Sequence, residues 1–260
     1  MSIPIDLSGR KALVTGVNSG IGLGIARKLI EAGCEVAGCG RSAPGHPGAL
    51  AFLEAAGRGG RRGIYRSCDL TEPGAAGQWV AGMAAELGGL DLVVSNAGRN
   101  IFTGAAACAE ADWTECMNLD LAAHWRVAQA ARPHLEASRG VVLVITSNHA
   151  FSTIPGCFPY NVAKAGLVAM VQSLALEWGP AIRAVGIAPG FIDTPGNDTW
   201  FSNFPDPAAE RQRTERLHPV GRLGTPEEIG ALCAFLASPM AGFISGTTLL
   251  VDGGRAAAMQ

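Results

Sequence analysis

The feature that most narrows the fold of this 260-residue chain is a series of short, strongly apolar runs at near-regular intervals. They are KALVT (11–15), EVAGC (35–39), RGIYRS (62–67), DLVVS (91–95), GVVLVIT (140–146), RAVGIA (183–188) and TTLLV (247–251). Between them lie segments with helical spacing, among them 21–32, 74–87, 111–137, 160–178 and 226–237. Strands alternating with helices of this length read as βαβ units and a parallel sheet. Strands of such a sheet are covered on both faces, which is why the runs are continuous instead of alternating. TPEE (225–228) is a helix start, with Thr225 as N-cap, Pro226 in the first turn and Glu228 reaching back.

No low-complexity linker or internal repeat divides the chain, so residues 1–260 are expected to form a single α/β domain of Rossmann type. SAPGHPG (42–48) reads as a surface loop. The segment 195–224, with Trp200, Phe201 and Phe204 among prolines and charges, breaks the rhythm and is expected to be an insertion over the substrate.

Composition excludes several classes. A net charge of −2 and a pI of about 6.2 leave no basic field for nucleic acid or an anionic membrane. The densest basic run, RGGRR (58–62), reads as a solvated loop in preference to a phosphate site. Cys34, Cys39, Cys68, Cys108, Cys116, Cys157 and Cys233 are odd in number and form no C-x-x-C pair. They read as reduced core residues of a cytoplasmic protein, and no Cys/His set has zinc-ligand spacing, so no metal is expected. The start, MSIPIDLSGRKALVTG, does not have the pattern of a signal peptide, and no apolar run is long enough to span a bilayer.

Two local patterns carry chemistry. VTGVNSGIGLGIA follows the first strand and opens a helix, with Gly16, Gly20 and Gly22 at spacing G-x-x-x-G-x-G. A backbone free of Cβ atoms can turn sharply there and approach a pyrophosphate, which the following helix N-terminus attracts. Taken alone, a glycine triplet also fits simple tight turns. The second pattern is YNVAK (160–164). The chain has only two tyrosines and three lysines, yet one of each stands four apart, on one face of a helix.

On these residues the chain resembles the short-chain dehydrogenase/reductase family. TGVNSGIG (15–22) is similar to its cofactor loop, SNAG (95–98) to its N-N-A-G motif with Ser95 for the first Asn, and YNVAK to its Y-x-x-x-K. Asn118 in MNLD and Ser147, thirteen residues before Tyr160, match the family's catalytic Asn and Ser. APGFIDTP (188–195) resembles P-G-x-x-x-T, and ISGTTLLVDGG (244–254) the closing strand and loop. Val185 stands where the family often has Asn, and the stretch before the sixth strand is slightly short. The resemblance implies a doubly wound parallel sheet of about seven strands in the order 3-2-1-4-5-6-7.

It also implies the roles. Tyr160 would be the general acid in carbonyl reduction and the general base in alcohol oxidation. A phenol has an ordinary pKa near 10, so its anion needs the nearby charge of Lys164. Ser147 would hold the substrate oxygen, Lys164 the nicotinamide ribose, and Asn118 a water chain that carries the proton to solvent. The expected cofactor residues are Gly16, Asn18, Ser19, Gly20, Ile21, Gly22, Arg41, Asp69, Leu70, Asn96, Ala97, Gly98, Tyr160, Lys164, Pro189, Gly190, Ile192 and Thr194. Taken singly, Ser147 reads as a strand-end cap and Asn118 as an oddity inside a helix.

Family members that use NAD usually carry an acidic residue at the end of the second strand. Here Gly40 stands in that place and Arg41 follows. With no carboxylate to repel a 2′-phosphate and an arginine to pair with it, NADP is favoured and NAD is the alternative. The expected substrate residues are Ser147, His149, Phe151, Phe158 and Trp200, with Arg99 nearby. His149 reads as pocket wall or as a partner for a hydroxylated or acidic substrate. Such a lining suits a sugar, polyol or keto-acid derivative, with a 3-oxoacyl thioester as the alternative. The resemblance implies a homotetramer, or a homodimer, built on helices 111–137 and 160–178. Two rivals are a non-catalytic dinucleotide sensor and another nucleotide-fold enzyme such as a methyltransferase. The intact Asn118, Ser147, Tyr160 and Lys164 speak against both.

Overall fold

In the computed structural model, which describes residues 4–258, the apolar runs become one all-parallel sheet. Its strands are β1 (Lys11–Thr15), β2 (Glu35–Gly40), β3 (Gly63–Ser67), β4 (Leu92–Ser95), β5 (Val141–Ile145), β6 (Arg183–Pro189) and β7 (Thr248–Val251). The order is β3-β2-β1-β4-β5-β6-β7, as the family resemblance implies. The chain runs outward from β1 to β3 and then returns to β4. The carboxyl ends of β1 and β4 therefore flank the point where winding reverses, which is where open α/β sheets hold ligands.

The helices are α1 (Gly20–Glu31), α2 (Pro47–Arg58), α3 (Ala75–Leu87), α4 (Glu110–Met117), α5 (Ala123–Ser138), α6 (Tyr160–Trp178), α7 (Pro195–Phe201), α8 (Pro207–Arg216) and α9 (Pro226–Ala237). They cover the sheet in two layers. Ile25 and Leu29 of α1, Phe52 of α2 and Ile229 of α9 pack on one face with Val14, Val141 and Leu143. Val80 of α3, Val127 of α5 and Leu167 of α6 pack on the other with Leu13, Val142 and Val144. Neighbouring strand residues point to opposite faces and both faces are buried, so the alternation vanishes from the sequence. α1 and α9 cross closely: a Cβ on Gly24 would lie 2.4 Å from Cβ of Pro226, and one on Gly230 would lie 2.6 Å from the Gly24 carbonyl oxygen.

Thr225 caps α9 in a capping box with Glu228, as its sequence indicates. Three elements differ from expectation. SAPGHPG is loop only to His46: Pro47 begins α2, and the His46 ring accepts the Gly48 N–H at 3.1 Å, an unusual cap that the sequence does not advertise. The single helix expected over 111–137 is interrupted by a π-helical turn at Asn118–Ala122. The segment 195–224 holds α7 and α8, each with Pro in its first turn and capped by Thr194 and Asp206 respectively. Cys34, Cys39, Cys116, Cys157 and Cys233 are buried, Cys68 and Cys108 partly so, and all seven are free thiols. No helix among the described residues is long and apolar enough to cross a membrane.

Candidate active site

The carboxyl ends of β1, β4, β5 and β6 bring the expected residues to one edge of the sheet. After β1 the chain turns through Gly16 (φ 77°) and Gly20 (φ 52°), left-handed conformations that favour glycine. Ser19 occupies the N-cap of α1 in extended conformation, but its side chain makes no capping bond, so the helix N-terminus is left open. A cleft of about 320 Å³ opens there, lined by Asn18, Ser19, Gly20, Leu23 and, across from them, Pro195. Thr194 closes over the loop: a Cβ on Gly20 would lie 3.3 Å from its methyl group, while its hydroxyl accepts the Asn197 N–H.

The Asn96 side chain is engaged within the fold. Its Nδ2 donates to the Thr15 carbonyl at 2.8 Å, and the Thr15 hydroxyl accepts the backbone N–H groups of Asn96 and Ala97. Asn96 thus ties β4 to β1 beneath the glycine loop. Ser95, the departure from the N-N-A-G pattern, is buried and its hydroxyl sits 2.8 Å from Nδ1 of His124. Burial drives the His124 pKa far below the usual histidine range, with the Lys164 charge adding to it, so the ring is neutral.

Near the end of β2, a Cβ on Gly40 would lie 2.6 Å from Oδ1 of Asn18, so a side chain there requires the Asn18 side chain to shift. Asn18 donates to the Tyr65 hydroxyl at 2.9 Å, and Tyr65 donates to the Ser42 carbonyl at 2.7 Å. This use of Tyr65 has no local signature, because the residue lies inside a strand run. Asn18 Oδ1 is buried without a hydrogen-bond partner. Arg41 is exposed and close enough to lower the pKa of Asp69, although bonds from Thr71 lower it more. Leu70, just after β3, and Ile192, after β6, are both buried, and the Ile192 carbonyl accepts a bond from Asn197. Pro189 ends β6 and Gly190 packs directly on Asp252. An open helix N-terminus, a glycine turn and an orphaned acceptor fit a dinucleotide, with the pyrophosphate at Ser19–Gly22 and the adenosine beside Asn18 and Arg41.

Ser147 follows β5, and Tyr160 and Lys164 project from the first turns of α6 onto the same place. Lys164 is buried, and its Nζ stands 5.3 Å from the Tyr160 ring centroid. Burial raises the Tyr160 pKa above the ordinary phenol value; Lys164 pulls it down, Asp120 raises it and the Ser147 hydroxyl lowers it. The Ser147 hydroxyl also accepts the His149 N–H at 3.1 Å, so the strand-end cap and the proposed substrate contact are one group.

His149 joins the site: its ring centroid lies 6.1 Å from that of Tyr160, and its Nδ1 is 3.2 Å from the Thr153 hydroxyl. Burial, and next the charge of Arg255, lower its pKa below the usual histidine range. Phe102, which sequence reasoning missed, packs edge-on against Tyr160 at 5.2 Å. It sits in a loop with no motif, so only the fold could place it. Phe151 is half exposed at the rim. Phe158 stacks on Trp113 at 5.5 Å, and Trp200 packs with Phe191, Phe201 and Phe204. Arg99 pairs with Glu115.

Asn118 begins the π-helical turn. Its Nδ2 donates to the Thr71 carbonyl at 3.2 Å and its Oδ1 accepts from Arg126 at 2.6 Å, so its side chain is engaged away from Lys164. The carboxylate beside Lys164 belongs instead to Asp120, at 3.5 Å.

Comparison with known proteins identifies the family. The profile of the family described as Enoyl-(Acyl carrier protein) reductase matches residues 16–256. Gluconate 5-dehydrogenase of Gluconobacter oxydans is 31% identical over 253 residues, covering 96% of this chain and 95% of that protein. The 3-oxoacyl-(acyl-carrier-protein) reductase FabG of Vibrio cholerae is 32% identical, covering 96% of this chain and 98% of that one. Among solved structures, a short-chain dehydrogenase/reductase from Serratia marcescens superposes with a TM-score of 0.89 at 29% identity, covering 98% of this chain and 100% of the other.

Proposed function

The chain belongs to the short-chain dehydrogenase/reductase family and is an oxidoreductase, and on that premise we propose that it moves a hydride between NADP and a carbonyl or secondary alcohol, with Tyr160 as general acid and base. The observation that carries the reading is the convergence of Ser147, Tyr160 and Lys164, with the ammonium of Lys164 beside the phenol ring. The bound nicotinamide supplies the hydride in reduction and takes it back in oxidation. Ser147 orients the substrate oxygen through its hydroxyl. Tyr160 gives a proton to that oxygen in reduction and removes it in oxidation, and the positive charge of Lys164 stabilises the phenolate between the two. Asn118 starts the π-helical turn that carries Asp120 to Lys164, its own side chain being tied to Thr71 and Arg126.

Gly40 and Arg41 favour NADP over NAD, although Asn18 and Ser19 stand where many NADP-dependent members carry a further basic residue. The site wall of His149, Phe102 and Thr153 presents one polar edge among aromatic faces, which suits a sugar, polyol or keto-acid derivative. The likeness to gluconate 5-dehydrogenase supports that class. The exposed Phe151 and Ile154 at the rim favour a second reading, a 3-oxoacyl thioester with its chain lying across them, in line with the likeness to FabG. Residues 195–224, with the aromatic cluster around Trp200, are the segment we assign to the substrate side of the fold. A homotetramer would cover Trp125 of α5 and Val162 and Leu176 of α6, apolar side chains exposed here. The free thiols favour a reducing compartment, the cytoplasm.

Tyr160→Phe tests the assignment. Turnover of any carbonyl should fall by at least ~10²-fold, while NADPH binding, read by nicotinamide fluorescence, stays within about twofold. Substantial residual turnover would refute Tyr160 as the proton-transfer group.

A further inference from the structure

The π-helical turn puts an ionisable group where the motif pattern gives none. Asp120 is fully buried in that turn, at 0% exposure. A π-turn holds one more residue than an α-turn, and such insertions often mark functional sites. Here the Asp120 carboxylate faces Lys164: Oδ1 lies 3.5 Å from Nζ and also accepts the Arg99 backbone N–H at 3.1 Å. Gly98 makes room for the pair, since a Cβ there would lie 2.5 Å from Asp120 Oδ1 and 3.3 Å from Lys164 Nζ. Among the described residues, the ammonium makes one other bond, a long one of 3.4 Å to the Ile145 carbonyl.

The groups around this carboxylate leave Lys164 as its counter-ion. From α6 come Lys164 and Tyr160. From α4 comes the Cys116 thiol, 3.9 Å from Oδ2, which burial raises to a pKa of about 12 and so keeps neutral. From α5 comes His124, neutral and bonded to Ser95. The guanidinium of Arg99 is held by Glu115 on the surface. A buried charge needs a partner, and the ammonium paired with it at 3.5 Å is the one Tyr160 depends on, the Arg99 charge acting on it more weakly from the surface. Lys164 therefore divides its field between a phenol on one side and a carboxylate on the other.

We propose that Asp120 is a positioning residue: it anchors Lys164 from the buried side, opposes its charge, and so sets the pH range over which Tyr160 exchanges its proton. The proposal rests on the reading of Tyr160 as general acid and base only for its link to turnover; the coupling among Asp120, Lys164 and the phenol stands without it.

The chain's two tyrosines permit a direct test. In a Tyr65→Phe background, ultraviolet difference absorbance reads the ionisation of Tyr160 alone. Adding Asp120→Asn removes a negative charge near the phenol, so its midpoint should fall by about one pH unit or more. Glu115→Gln, on the surface pair with Arg99, should leave the midpoint unchanged. In the otherwise native enzyme, the ascending limb of kcat/KM for alcohol oxidation should move down with Asp120→Asn by the same amount. A midpoint that stays or rises, or an activity loss without any shift of the limb, overturns the proposal. Should Tyr65→Phe or Asp120→Asn fail to fold, Asp120→Ser and the native-background pH profile decide it by the same criterion. If Tyr160→Phe retains turnover while the phenol midpoint still shifts, the functional reading fails and the coupling survives.

Discussion

A Cβ on Gly40 would lie 2.6 Å from Oδ1 of Asn18. The contact joins the glycine loop to the end of β2, where the proposed preference for NADP is open to test. An aspartate at residue 40 cannot enter while Asn18, fixed by Tyr65, stays where it is.

Gly40→Asp alone should therefore weaken both cofactors, because Asn18 must shift and the loop with it. Gly40→Asp combined with Asn18→Gly should restore NADH binding and disfavour NADPH. Arg41→Ala should raise the NADPH dissociation constant by about tenfold to a hundredfold, the worth of a charge-assisted bond of ~1.5–3 kcal/mol. NADH affinity should be unchanged. Parallel fluorescence titrations at fixed salt check all three.

Burial raises the Tyr160 pKa, and Lys164 and Ser147 only partly offset it. Alcohol oxidation needs the phenolate and carbonyl reduction needs the phenol. Log kcat/KM for oxidation should rise with pH with a slope of one through the neutral range. For reduction it should be flat there and fall only at alkaline pH. Initial rates in both directions across pH 6–10 measure this.

The α1–α9 crossing has no room for a methyl group. Gly24→Ala would drive Cβ to 2.4 Å from Cβ of Pro226 and 2.6 Å from its carbonyl carbon, neither of which is a flexible side-chain end. Overpacking of this kind costs about 1–3 kcal/mol. The melting temperature should fall, with catalytic constants per folded molecule nearly intact.

Thr225 and Glu228 cap α9 reciprocally: Thr225 N–H donates to Glu228 at 2.8 Å, and Thr225 Oγ1 accepts the Glu228 N–H at 3.3 Å. Thr225→Ala should cost about 1 kcal/mol. Arg222 and the capping bonds lower the Glu228 pKa to about 2 from an ordinary 4.5. Because the folded-state value is depressed, the carboxylate contributes stability above pH ~4.5, lost as pH falls toward 2. The contribution is small because the pair is solvent-exposed. The melting-temperature gap between the native chain and Glu228→Gln should be constant above pH 5 and close below it.

The strand runs, the glycine loop, the Thr225 cap and the Tyr160–Lys164 pair were legible because each is a local pattern. Strand burial, a turn, a cap and a helical spacing of four are set by residues close in sequence. α2 escaped notice because its cap is a histidine and its first residues, Pro47 and Gly48, are turn formers that a helix N-terminus also accepts. The break at Asn118–Ala122 escaped because its apolar spacing continues through the π-turn.

What the sequence determined by itself is therefore the order of elements and the pairing of Tyr160 with Lys164 on one helix face. What only the tertiary structure decided is which groups share a dielectric: Asp120 with Lys164, Ser95 with His124, Asn18 with Gly40 and Tyr65, Phe102 with Tyr160. These partners lie between 22 and 47 residues apart, except for Phe102 and Tyr160 at 58. Charge and hydrogen-bond energies depend on distance through space and on the exclusion of water, and neither is encoded at one position. They appear only once the sheet brings the ends of β1, β4 and β5 together and the helices seal them from solvent.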